Sequence, residues 1–164
     1  MHQLLYRSIA NEEEFGDSDL DILLKALEFN AAKGITGYLW RGRGQFFQAL
    51  HGPRVEVLPL MERISADPRH SEVEVLISED GDAPSPFAEW AMGYDYVAED
   101  VLGISLEEDN SRPMISPAKA REIWGKMIEQ SHSEAEWGGA SPYSRKPTES
   151  MDAWIKRLSA ARGR

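Results

Sequence analysis

Residues 3–10, QLLYRSIA, put Leu4, Tyr6 and Ser8 on one face of an extended chain and Leu5, Arg7 and Ile9 on the other, the period-two mark of a strand. An acidic loop, NEEEFG, follows. Leu20, Leu23, Leu24, Leu27 and Ala31 then recur at helical spacing, with Ile22, Ala26 and Asn30 as a second row at i, i+4, i+8. This predicts a helix capped by Asp17 or Ser18, running to about Lys33 and ended by Gly34. ITGYLWR and QFFQALH read as two strands joined by the hairpin signal GRG. A second helix is predicted from near Val57, with Pro59 in its first turn and Leu60, Met61 and Ile64 inward, ending near Asp67-Pro68. SEVEVLI alternates with Val73, Val75 and Ile77 on one face, a loop covers 79–86, and FAEWAMGYDYV offers a last strand.

The order β-α-β-β-α-β-β predicts an α+β, ferredoxin-like sandwich over residues 1–97, with both helices on one sheet face. Leu5, Ile9, Phe47 and Ala49 point to the other face, which needs a cover. The extension over residues 98–164 supplies one. Residues 117–130 carry Ile123, Trp124, Met127 and Ile128 at helical spacing, and residues 149–161 carry Met151, Trp154, Ile155, Leu158 and Ala161. Both C-terminal helices are expected on the opposite sheet face, with a long loop between them and no recognisable output domain.

Composition narrows the function classes. The 164 residues carry a formal net charge of −10, which argues against a general nucleic-acid surface. There is no cysteine, so disulfides, thiolate nucleophiles and Cys-ligated metal are excluded. The four histidines, His2, His51, His70 and His132, lack metal-site spacing, so no metal is expected. No apolar run reaches membrane length and no signal-peptide pattern is present, so a cytoplasmic protein without a membrane partner is expected.

One polar residue stands out. Gln48 lies among Phe46, Phe47, Ala49 and Leu50 in an otherwise apolar strand, and a buried amide costs about 1–3 kcal/mol unless its hydrogen bonds are made. Period-two arithmetic places Gln48 with Phe46 and Leu50, Tyr6 with Ser8, and Trp90 with Met92. If these faces coincide, Tyr6, Gln48 and Trp90 or Met92 meet under the helices, overlooked by Asn30 and Arg63. Such an apolar slot suits a planar heteroaromatic ligand with donors and acceptors on its edge.

YRS (6–8), NAAKGITG (30–37), FFQALHG (46–52), RISADPRH (63–70) and FAEWAMGY (87–94) together resemble the BLUF domain, the blue-light sensor using FAD. The resemblance covers residues 1–97 in order and spacing. It implies a ferredoxin-like fold holding FAD non-covalently between the two helices. It further implies that Tyr6 is the photochemical electron donor and Gln48 the amide bridging it to the flavin. Asn30 would bond the flavin's pyrimidine edge and Ile22 and Ile64 would clamp the ring. Arg63, Asp67, Arg69 and His70 would meet the polar edge and the phosphate-bearing chain, and Trp90 and Met92 would transmit the signal. In the implied mechanism blue light moves an electron and then a proton from Tyr6. Both return, and the Gln48 network is left rearranged with a red-shifted absorption. Two positions depart from the family's pattern: His51 where Glu is usual, and Ser85-Pro86 where a basic residue is usual.

A blue-light photoreceptor signalling through its last strand and tail helices, to its own oligomer or to a separate partner protein, is therefore expected, rather than an enzyme. An enzyme of the same fold is disfavoured by the missing cysteine and by the absence of a Ser-His-Asp pattern. The alternative is a light-indifferent flavin-binding or protein-interaction module.

Overall fold

The computed structural model describes residues 1–13, 16–42, 44–88, 93–96, 114–137 and 142–162. The N-terminal alternation forms β1 (His2–Ala10). Then come α1 (Asp17–Lys33), β2 (Thr36–Gly42), β3 (Gln45–Gly52), α2 (Arg54–Ser65), β4 (His70–Asp80), β5 (Gly93–Tyr96), α3 (Pro117–Trp137) and α4 (Met151–Arg162). The strands lie in the order β4-β1-β3-β2-β5. β1 pairs antiparallel with β3 and β4, β2 antiparallel with β3, and β5 parallel with β2. This is the ferredoxin-like α+β topology, with α1 and α2 as the crossovers.

Helix α1 begins at Gly16 rather than at a side-chain cap, so Asp17 lies inside its first turn, where it and Asp19 face the positive end of the helix dipole. Its last turn closes on Gly34, whose φ of 70° is left-handed and whose N–H bonds the Asn30 carbonyl. The Ile35 N–H bonds the same carbonyl at 2.9 Å. Leu20, Leu23, Leu24 and Leu27 are buried, whereas Ala31 is exposed and outside the stripe.

The second helix departs from expectation. It starts at Arg54 behind Pro53, so Pro59 lies in the helix interior. The carbonyl that Pro59 leaves without an amide partner belongs to Val55, a residue 77% exposed, where water can meet it. In β4 the register against β1 shifts between Leu5 and Tyr6, which pair with Ile77 and Val75. That bulge breaks the Val73-Val75-Ile77 face: Ile77 is buried and Val75 exposed. Phe87 and Ala88 precede the last strand instead of belonging to it, and residues 89–92 lie outside the described residues.

Leu5, Phe47 and Ala49 are buried on the sheet face away from α1 and α2, and α3 meets that face. Its stripe runs Ala120, Ile123, Trp124, Met127 and then Ser131 and Glu134, all buried. The last two are polar and bonded: Tyr38 donates its phenolic proton to Glu134, and Ser131 Oγ donates to the Ile128 carbonyl at 2.9 Å. Trp40 donates its indole N–H to Gln130. The inward face thus continues after its hydrophobicity stops, which is why α3 runs seven residues past the expected 130, to Trp137. The helix also grips the approach to β5. The Phe87 ring meets Trp124 edge-on at 5.3 Å, the Ala88 N–H donates to Ser131 Oγ at 3.3 Å, and His132 Nε2 donates to the Pro86 carbonyl at 2.9 Å.

The last helix does not join α3 on the sheet. Trp154 and Leu158 bury α4 in a position against α1, and Ala161 is exposed. A 21-residue α3 is about 32 Å long and takes the sheet face by itself, so the shorter stripe of α4 covers the flank of α1. A clasp orders the chain before it. Arg157 donates from Nε and Nη2 to Glu149 at 2.8 and 2.9 Å and from Nη2 to the Ser144 carbonyl, while Trp154 Nε1 donates to the Tyr143 carbonyl. Arg157 holds the Glu149 carboxyl at about 2, below its ordinary 4.5. A carboxyl depressed on folding stabilises above its unfolded value and loses that contribution as pH falls through the folded one. The stability difference between wild type and Glu149→Gln, measured by denaturant titration, is therefore expected to be full near neutral pH. It should shrink below about 4.5 and vanish near 2.

Candidate functional site

The cross-strand register brings the polar faces together. Tyr6 of β1 pairs with Gln48 of β3, and Gln48 with Leu39 of β2. All three line one cavity between the sheet and helices α1 and α2, about 550 Å³ in volume. Helix α1 contributes its second row, Ile22, Ala26 and Asn30, and α2 contributes Leu60, Arg63 and Ile64. Asp67, Arg69 and His70, from the turn into β4, complete the wall with Phe46. Tyr6, Ile22, Asn30, Gln48, Arg63, Ile64, Asp67, Arg69 and His70 thus meet on one cavity. Trp90 and Met92 lie outside the described residues.

Tyr6 is 3% and Gln48 5% exposed, and the phenol donates its proton to Gln48 Oε1. Burial, reinforced by the Asp67 carboxylate, pushes the Tyr6 phenol far above its ordinary value of 10, so it keeps its proton at every working pH. The Tyr6 ring meets His70 edge-on at 6.2 Å. His70 is fixed at both nitrogens: Nε2 donates to the Ile64 carbonyl, and Nδ1 bonds Ser8 Oγ at 2.8 Å. The donor ring and the apolar Ile64 are thereby held by one side chain.

Asn30 carries the most direct sign of a ligand. The residue is 1% exposed, and both polar atoms of its amide are buried without a hydrogen-bond partner. Its backbone carbonyl closes α1, which fixes the main chain that carries the amide. A buried amide in this state costs a few kcal/mol unless something with a matching acceptor and donor meets it, on the order of 1–3 kcal/mol per group. The planar, edge-polar pyrimidine part of a flavin is such a group, and the cavity's apolar walls fit its ring.

At the mouth, Asp67 holds Arg69 through Nε at 3.0 Å and Nη2 at 2.6 Å, and it also accepts the Arg69 backbone N–H at 3.0 Å. These bonds keep the Asp67 carboxyl below its ordinary 3.8. Arg63 lies over the Phe29 ring at 4.3 Å and has no carboxylate partner among the described residues. Lys25, Glu28 and Phe29 also line the cavity. The sequence reading missed them, although Phe29 lies seven residues after Ile22, two helical turns along the same face. At the sheet's far end Arg41 and Asp19, each 1% exposed in its side chain, form an ion pair at 3.1 Å, with Arg41 over the Phe46 ring at 4.7 Å.

The two departures from the family's pattern both lie off the cavity. His51 is buried at 4%, on the opposite sheet face, so it is neither a surface nor a capping residue. Burial, together with the nearby N-terminus, lowers its pKa below 6.5 against a bond to the Ala83 backbone. Ser85 Oγ bonds Thr36 Oγ1 and accepts the Phe87 N–H at 3.2 Å, tying the loop to β2.

A ferredoxin-like sheet whose two crossover helices enclose a largely apolar cavity, with an unmet amide on its wall, is the architecture of a ligand-binding domain. The comparisons specify which. The family of sensors of blue-light using FAD, the BLUF family, matches residues 1–93, and the chain belongs to that family. It is similar to the photo-activated state of BlsA, at 28% identity over 77% of this chain and 94% of that one, with a TM-score of 0.64. It is also similar to the dark state of the BLUF protein BlrB, at 26% identity over 79% of this chain and 96% of that one, with a TM-score of 0.65. A bacterial light-regulated adenylyl cyclase matches at 29% identity over 80% of this chain and 34% of that one, with a TM-score of 0.56. No curated protein matches. The family is one of flavin-binding blue-light sensors, and among the described residues no helix is long and apolar enough to cross a membrane.

Proposed function

We propose that the chain is a blue-light photoreceptor that holds FAD non-covalently, with residues 1–97 as the flavin-binding unit and residues 98–164 as its output extension. The observation that carries this reading is the Tyr6–Gln48 hydrogen bond in the wall of the cavity. Ile22 and Ile64, on the two helices, would clamp the ring, Asn30 would meet its pyrimidine edge, and Arg63, Arg69 and Lys25 would favour the phosphate-bearing chain; all six line the cavity.

The flavin, when bound, supplies an excited state that accepts one electron and one proton and later returns both. Tyr6 is the donor. Its phenol is protonated in the ground state, so the electron leaves first and the proton follows from Oη to Gln48 Oε1. Gln48 passes a proton on from its Nε2 side and receives it back turned or tautomerised, exchanging donor for acceptor at the cavity wall. His70 holds the Tyr6 ring during this exchange, and the apolar walls keep water from short-circuiting it.

The rearranged Gln48 biases a two-state element. Leu39, its cross-strand neighbour, lies on β2, whose other edge carries β5 and whose opposite face is bonded to α3 through Tyr38 and Trp40. Trp90 and Met92 are the proposed transmitters into that edge, and the output is a change in oligomer or in the binding of a separate protein. No catalytic turnover is assigned to the chain. The test is the spectrum of the purified protein supplied with FAD. A yellow protein whose absorption shifts red in blue light and recovers in the dark is expected. A colourless protein that cannot take up FAD, or a yellow one that ignores light, overturns the reading.

A further inference from the structure

Resting on the flavin reading above, we propose that Arg162, at the end of α4, belongs to the rim of the flavin cavity and sets its preference for a phosphate-bearing flavin over riboflavin. Asp21 joins the two. Its carboxylate takes Lys25 Nζ at 3.0 Å, Arg69 Nη1 at 2.7 Å and Arg162 Nη2 at 2.8 Å. Lys25 and Arg69 line the cavity, and Asp21 directly precedes the cavity residue Ile22. Arg69 is held from its other side by Asp67, also on the wall.

The charges of this rim decide its preference. Lys25, Arg69 and Arg162 stand against Asp21 and Asp67, while the formal charges of Glu28 and Arg63, which also line the cavity without forming an ion pair among the described residues, cancel in the sum. The rim is therefore positive by one charge, and Arg162 supplies that charge. Without it the mouth is neutral. The guanidinium is not on a loose end: Trp154 and Leu158 bury α4 against α1 and bring its last turn to Asp21. Arg162 is not among the residues that line the cavity with Tyr6 and Gln48, so its contribution is to the ligand's charge and not to its colour. FAD carries a diphosphate with two negative charges, whereas riboflavin is uncharged. Were the diphosphate to lie about 10 Å from Arg162 in water, one positive charge facing two negative ones would be worth about fourfold in affinity at low salt. The advantage is screened at high salt, where the Debye length is shorter than that separation.

The experiment titrates flavin-free, full-length protein with FAD and with riboflavin, at low and high salt, following the quenching of flavin fluorescence. Arg162→Gln is expected to weaken FAD about fourfold at low salt, to leave riboflavin unchanged, and to converge with the wild type at high salt. Arg162→Lys restores the FAD preference because it restores the charge. Asp21→Asn shifts the FAD-to-riboflavin ratio in the opposite direction, since it removes a negative charge from the same rim. Equal weakening of both flavins by Arg162→Gln would make the helix a structural prop and overturn the inference, as would no change in either. A wild-type protein that binds neither flavin overturns the photoreceptor reading itself, an outcome distinct from these.

Discussion

Tyr6→Phe is expected to bind FAD as the wild type does and to lose the reversible red shift completely. The substitution keeps the ring that packs edge-on against His70 and removes only the hydroxyl. With that hydroxyl go the proton source of the proposed relay and the donor to Gln48 Oε1. Flavin fluorescence should rise, because the quenching electron transfer is slowed. Gln48→Leu should abolish the shift as well, by removing the acceptor. Stability adds a second readout. Each single variant breaks the same buried hydrogen bond, at about 1–3 kcal/mol, and the double variant breaks that bond only once. The double variant should therefore be destabilised by less than the sum of the singles, and its photochemistry should be no worse than either. A Tyr6→Phe protein with a full reversible shift would sink the mechanism. A double variant with strictly additive stability would show that the two side chains do not act as a pair.

Asn30→Leu is expected to act with opposite signs on the empty protein and on the complex. In the flavin-free chain the substitution removes two buried, unpartnered polar atoms and replaces them with an apolar group of similar volume. Replacing such a group is neutral to stabilising, so the thermal midpoint of the flavin-free protein should hold or rise. In the complex the same change deletes the amide proposed to meet the pyrimidine edge. Flavin affinity should fall by about 10- to 100-fold, the equivalent of one or two lost hydrogen bonds to a buried partner. Fluorescence titration checks the affinity and calorimetry the stability. A large fall in the stability of the flavin-free protein would mean that Asn30 serves the fold and not the ligand. Its backbone role at Gly34 and Ile35 is independent of the side chain and should survive.

Much of this site was legible one residue at a time. The Ile22-Ala26-Asn30 row is an i, i+4, i+8 pattern on one helix, and helical geometry alone puts it on one face. Tyr6 and Ser8, and Phe46 and Gln48, each share a strand face for the same kind of reason, the period of two. What that arithmetic does not contain is the register between strands. Tyr6 opposite Gln48 is a pairing of residues 42 positions apart, decided by the hydrogen-bonded ladder of β1 on β3. The same holds for Phe29 under Arg63, which unites two helices across the cavity mouth.

The misreadings have a common cause. Periodicity reports which face of an element is apolar, but not what that face meets. The α4 stripe was read correctly as a buried face and assigned to the wrong surface. With α3 across the sheet, α1 was the apolar flank left to cover. The α3 stripe stopped at the last apolar residue because Ser131 and Glu134 look solvated in sequence; Tyr38 and Ala88, distant in the chain, supply the partners that let them be buried. The sequence by itself determined the element order, the fold class and the inward row of each element, because these depend on neighbours along the chain. Tertiary structure decided the seating of α4, the bulge in β4 and the joining of Arg69, Asp21 and Arg162. Each of these is a contact between separate elements, and its energy exists only once the chain has folded.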